Sequence, residues 1–152
     1  MTLLDVRNLD VDLGRAPRVR VLHDVSLRVR AGEVVGIVGE SGSGKTTLAR
    51  AILRSVDAAS GSIAVDGRDV RALRGRALRA WRRSGAAQYV FQDPLRSLDP
   101  GLRVFDSVAE GPRLARLART EVVRRVESAL DEVGLAPEFA ARRPGALSGG
   151  QR

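Results

Sequence analysis

Residues 39–46 read GESGSGKT, with glycines at 39, 42 and 44 leading into a lysine and a threonine. The spacing G-x-x-x-x-G-K-[ST] answers a physical demand. Backbone N–H groups can converge on phosphate oxygens only where side chains are small and φ is unrestricted. Gly39, Gly42 and Gly44 meet that demand. Lys45 is then placed to reach the β- and γ-phosphates of a nucleoside triphosphate, and the Thr46 hydroxyl to ligate Mg²⁺. A helix starting near Thr46 would aim its N-terminal dipole and free N–H groups at the same anion. The candidate nucleotide-binding residues are Gly39, Glu40, Ser41, Gly42, Ser43, Gly44, Lys45, Thr46 and Thr47. Lys45 is also the only lysine among 26 basic residues. Arginine is a wide planar fork and lysine a compact charge on a slim stem, so a loop wound around phosphates has room for the second.

Such a loop needs a strand before it and a helix after it. Val34–Val38 is a short continuous apolar run bounded by glycines, the pattern of a strand buried on both faces. Residues 46–55 read as a helix, with Leu48, Ala51 and Ile52 at helical spacing. Upstream, Leu4, Val6, Leu9 and Val11 suggest a strand with a register change, residues 14–18 a turn, and Val19, Val21, Val25, Leu27 and Val29 a half-buried strand. Residues 61–65 followed by Asp66-Gly67 read as strand and tight turn, 75–84 as helix, and Gln88–Phe91 as a short strand. Beyond that the texture is helical. Val104, Phe105 and Val108 form one face. Val122, Val123, Val126, Leu130 and Val133 form another, closed by Gly134. No internal repeat or low-complexity linker interrupts the chain.

Composition narrows the classes. The absence of cysteine excludes disulfides and thiolate metal sites. Asp5, Asp10 and Asp12 break any candidate signal-peptide core, and the run at Val34–Val38 is far too short to span a bilayer. The expectation is a soluble chain that reaches a membrane only through a partner. The net charge of +8 admits a nucleic-acid or anionic-membrane surface. The spread of arginine over most of the chain, with acids among it, points instead to compositional bias. The densest cluster is Arg71, Arg74, Arg76, Arg79, Arg82 and Arg83, with no acid among them and only Trp81 nearby to stack a base. The single histidine, His23, reads as a strand-surface residue.

Two later segments add specificity. Residues 90–100 read VFQDPLRSLDP and residues 147–152 read LSGGQR. In this order after GESGSGKTT, they make the chain resemble the ATP-binding cassette (ABC) family along its whole length. The resemblance implies an α/β fold: a P-loop NTPase core with an N-terminal β-subdomain and a helical subdomain, its C-terminal part missing. Residues 1–152 would be a single partial domain, with 1–91 the β-subdomain and P-loop core and 92–152 the Q-loop and helical subdomain up to the signature. It implies ATP and Mg²⁺ as cofactors. Gln92 would be the Q-loop glutamine, meeting Mg²⁺ and the attacking water. Leu147, Ser148, Gly149, Gly150 and Gln151 would clamp ATP bound to a second ABC ATPase subunit, identical or different. Ser148 would also cap a helix. The segment FQDP-x-x-SLDP resembles the subgroup that energises uptake of oligopeptides, dipeptides and nickel. Its members dock on transmembrane permease subunits at the cytoplasmic face of the cell membrane. An extracytoplasmic solute-binding protein takes part indirectly, and no nucleic acid is involved.

The chain also departs from the family pattern. No aromatic residue precedes Trp81, so Leu13 or an arginine near Arg18 would have to cover the adenine. The pattern would continue past Arg152 with an Asp-Glu pair and a switch histidine, so the 152 residues alone are expected to hydrolyse ATP poorly. A truncated, non-hydrolysing nucleotide-binding remnant is the first alternative. A DNA-maintenance ATPase is a weaker one, because such heads insert long coiled-coil arms where Lys45 and Ser148 stand only 103 residues apart. A small-molecule P-loop kinase would have no use for LSGGQ.

Overall fold

A computed structural model describes residues 1–93 and 97–152 and divides into two compact units, Met1–Tyr89 and Val90–Arg152, each with its own core. Part of the segment VFQDPLRSLDP, residues 94–96, lies outside the described residues.

The first unit is built on an antiparallel sheet of order β2-β1-β3-β4. Its strands are β1 (Thr2–Leu13), β2 (Val19–Arg30), β3 (Ser60–Val65) and β4 (Arg68–Asp69). Val6, Leu9 and Val11 of β1 are buried, although the first two are three residues apart and cannot share a face of a regular strand. The chain resolves this with irregularities between Val6 and Leu9 and again between Leu9 and Val11, where β1 pairs with β2. Asn8 takes a left-handed φ of 47° inside the first of them. Opposite it, Gly61 has φ 85°, and a Cβ there would lie 2.4 Å from the Asn8 carbonyl oxygen. Only glycine fits that crossing, so the register change in β1 and the glycine opening β3 are one feature.

Helix α1 (Lys45–Ile52) lays Leu48 and Ala51 on this core, and α2 (Gly75–Arg83) adds Trp81. Ile63, Val65, Leu22 and Val70 complete it. A buried arginine ties these pieces together. The Arg54 side chain is 1% exposed and bonds Asp57 Oδ1 at 2.6 Å. Its Nε donates to the Val70 carbonyl at 2.9 Å. Its own carbonyl accepts from Arg82 on α2. The guanidinium thus satisfies the chain between β4 and α2 from the end of α1.

Two expected strands are absent. Val34–Val38 forms no strand, and Val34 and Val38 are each 97% exposed. Gln88–Phe91 forms none either, and Val90 is 92% exposed. An apolar run becomes a doubly buried strand only where neighbours supply hydrogen bonds and cover on both sides. Among the described residues the only sheet is the antiparallel one, and neither segment joins it.

The second unit is helical. α3 (Val104–Leu114) and α4 (Arg119–Glu132) pack through Val104, Ala109, Val122, Val126 and Leu130. The last three recur every four residues on one face of α4. Gly134 ends that helix at φ 71°, its N–H on the Asp131 carbonyl at 2.9 Å. At the other end of α4, Glu121 accepts from Arg124 at 2.6 Å and from Arg125 at 2.8 Å.

Two predictions follow from these contacts. Arg54→Ala strands buried carbonyls and lowers the unfolding free energy by about 2 kcal/mol. Denaturant melts of both proteins check this, and coincident curves would show Arg54 to be dispensable. In α4, the Arg124 and then the Arg125 guanidinium pull the Glu121 carboxyl from 4.5 down to about 2. A depressed carboxyl stabilises above its unfolded value, so this contribution is whole above pH 4.5 and fades as pH falls toward 2. NMR titration of the Glu121 side chain is expected to move upward in Arg124→Gln.

Candidate nucleotide-binding loop and signature turn

The candidate loop leaves the exposed run at Val34–Val38 and ends at Gly44, the residue that caps α1. Gly44 is buried with φ 95°. A Cβ there would sit 2.7 Å from Leu22 Cδ2 and 3.2 Å from the Val21 carbonyl oxygen. The glycine therefore serves two demands at once, a left-handed turn and close seating on β2. From it α1 begins, with Leu48 N–H on the Gly44 carbonyl at 2.9 Å.

No side chain caps α1, and its first turn carries no acid. Among the described residues, the backbone N–H groups of Gly42, Gly44, Lys45, Thr46 and Thr47 take no backbone acceptor. Lys45 folds over the loop. Its Nζ donates to the carbonyls of Gly39 at 2.8 Å and Glu40 at 2.6 Å, and to Ser43 Oγ at 3.3 Å. The ammonium thus engages three of the loop's acceptors, which leaves the loop's free N–H groups as its outward donors. Gly39, Glu40, Ser41, Gly42, Ser43 and Thr46 are exposed, while Lys45 and Thr47 are half-buried. This donor set fits a polyphosphate and would repel a cation bound without one.

The remaining candidates lie in the second unit. Gln92 is exposed at a bend. Ser148 caps the short 3₁₀ turn Gly149–Gln151, and its N–H donates to Gln151 Oε1 at 3.0 Å. Leu147 is buried in the helical core and holds the turn in place, while Ser148, Gly149 and Gly150 are exposed. Arg152 Nε donates to the Leu147 carbonyl at 3.2 Å. The structure thus gathers residues 39–44 into one loop, continued by Lys45, Thr46 and Thr47 in the first turn of α1, and residues 147–151 into one turn. His23 is exposed on β2. Sequence reasoning missed Val21 and Leu22, which buttress the loop. Their only signal was the alternation of β2, which marks a strand and not what rests on it.

The family model described as ABC transporter matches residues 22–152, from the buttress through the loop to the signature turn. The chain belongs to the ABC transporter family. Among its relatives, "Probable peptide ABC transporter ATP-binding protein y4tS" of Sinorhizobium fredii is 46% identical over 90% of this chain and 38% of its own length. The oligopeptide transport ATP-binding protein OppF of Streptococcus mutans is 40% identical over 99% of this chain and 49% of its own. This ABC chain thus spans half or less of the length of the curated relatives it matches. A solved dimeric ATP-binding cassette, MJ0796 bound to ADP and phosphate, superposes with a TM-score of 0.82 at 26% identity, covering 98% of this chain and 65% of that one. The mixed α/β fold is that of an ABC ATPase cassette, with the antiparallel sheet and the helical unit both present. Among the described residues no helix is long and apolar enough to cross a membrane.

Gly44→Ala is expected to disturb the loop without unfolding the sheet. In NMR spectra, amide shifts should move from Gly39 to Leu48 and at Val21 and Leu22, and stay fixed in β3. Shifts confined to residue 44 would mean that the seating on β2 does not set the loop's shape.

Proposed function

We propose that this chain is the nucleotide-binding part of an ATPase subunit that energises an ABC importer, with peptides the favoured cargo. The observation that carries the reading is the loop 39–47, whose uncapped N–H groups and single ammonium form a site for a triphosphate. Curated relatives named for peptide and oligopeptide transport support the cargo class. Nickel remains a second cargo compatible with FQDP-x-x-SLDP.

In this reading the N–H groups of Gly42, Gly44, Lys45, Thr46 and Thr47 bind phosphate oxygens, and Lys45 leaves the carbonyls of Gly39 and Glu40 to meet the β- and γ-phosphates. By resemblance to the family, Thr46 Oγ1 and the Gln92 side chain are each a group that would contact Mg²⁺, which would supply charge that neutralises the phosphates. Gln92 also orients the attacking water. Leu147, Ser148, Gly149, Gly150 and Gln151 face the nucleotide of a second ATPase subunit, to which Ser148 presents its hydroxyl and the glycines bare N–H groups. The division of labour places the β-subdomain and P-loop core in residues 1–91 and the Q-loop and signature in residues 92–152. The working assembly is a pair of such subunits on transmembrane permeases at the cytoplasmic face, with a solute-binding protein delivering cargo on the far side.

Lys45→Ala is expected to weaken binding of MgATP at least tenfold, measured by calorimetry, because a charge-assisted contact to phosphate is removed without a substitute. Lys45→Arg should restore little, since the fork does not fit the space of the slim stem. An ATP affinity unchanged by Lys45→Ala would defeat the assignment.

A further inference from the structure

The arginine cluster around α2 reads differently once its surroundings are visible. Of the 26 basic and 18 acidic residues, residues 70–92 hold six of the former and none of the latter. Six of the chain's eight net positive charges therefore come from this stretch, and the rest of the chain is nearly balanced. A uniform compositional bias would add arginine everywhere but would not clear acids from one segment. Some arginines elsewhere meet carboxylates, among them Arg7 with Asp5, Arg20 with Asp12, Arg113 with Asp106, and Arg124 with Glu121. What sets α2 apart is that its exposed arginines have no carboxylate within the same stretch of chain. Arg76, Arg79 and Arg83 are exposed and make no ion pair among the described residues. Arg71 donates to the Ala59 carbonyl and Arg74 to the Leu73 carbonyl, bonds that hold the side chains without cancelling their charge.

The helix sorts these residues by face. Trp81 is buried and Leu78 half-buried, so α2 lies on the core along that side. Arg76, Arg79 and Arg83 follow at steps of three and four, which places them in one stripe on the opposite side, over about 10 Å. The stripe is polar, and the aromatic residue of its own helix, Trp81, is turned into the core at 5% exposure. A single-stranded nucleic acid needs aromatic platforms for its bases, and α2 exposes none. Short cytoplasmic loops of membrane proteins carry excess lysine and arginine, so the stripe is mismatched to such loops. An anionic lipid surface is the complementary partner, since it presents dispersed negative charge and asks for no groove.

We propose that the Arg76–Arg79–Arg83 stripe of α2 is a contact surface for anionic phospholipid headgroups. It would let the subunit touch the bilayer directly, in addition to any hold through a partner. This rests on the reading above that the chain works beside a membrane, but not on the phosphate loop.

The test is co-sedimentation of the chain with vesicles containing about a third phosphatidylglycerol in phosphatidylcholine, against pure phosphatidylcholine. Binding to the anionic vesicles alone is expected, with loss near about 0.5 M salt, where the screening length falls to a few ångströms. Each arginine near such a surface is worth about fivefold, so R76Q/R79Q/R83Q should bind about a hundredfold more weakly. R76K/R79K/R83K, which keeps the charge, should bind as the parent does. Circular dichroism verifies folding; if the triple variant melts early, each single glutamine variant should still show about the fivefold loss. Lys45→Ala should bind vesicles normally while losing ATP, so the two readings fail separately. Equal binding to both vesicle types, or indifference to the glutamine substitutions, would overturn the proposal. So would arginine-dependent retention by a single-stranded oligonucleotide or a poly-glutamate resin without vesicle binding, which would reassign the stripe to nucleic acid or an acidic polypeptide.

Discussion

The seating of Gly44 on Val21 and Leu22 is the contact on which the site depends. It fixes where α1 starts, and so where the dipole and free N–H groups of that helix point. It also ties the loop to the strand pair β1–β2, whose register shifts around Asn8, where Gly61 of β3 crosses β1. A side chain at position 44 would have to displace Leu22 from the core. The shape of the proposed phosphate loop is thus inherited from the packing of an antiparallel sheet.

Arg54 extends the same logic to the far end of α1. Burying a guanidinium is costly unless its donors find acceptors. Here one carboxylate and the carbonyls of Val70 and Leu73 receive it. A helix pinned at its start by a glycine and at its end by an arginine has little freedom to rotate. That rigidity is what an anion site built from backbone groups requires, because its donors cannot adjust singly.

Much of this was legible in the residues. The motif GESGSGKT located the loop, and Leu48 and Ala51 set the buried face of α1. The break in alternation between Val6 and Leu9 announced the register change that β1 shows. Gly134 stopped α4 as its type suggests. Other features were not legible, for physical reasons. Val34–Val38 has the composition of a buried strand, but composition states an appetite for neighbours and cannot supply them. The buttress at Val21 and Leu22 depends on a long-range approach that local patterning does not encode. Arg54, one arginine among 25, became distinct only when its burial was seen.

The separation into two units, each with a closed core, bears on how the chain is made. The first core draws only on residues up to Trp81 and its partners before Tyr89, while the second begins at Val104. On a ribosome the sheet, α1 and α2 can therefore consolidate before the helical unit has left the exit tunnel. The order of the two cores along the chain thus matches the order of synthesis, which allows the loop 39–44 to seat on its buttress before the signature turn is made.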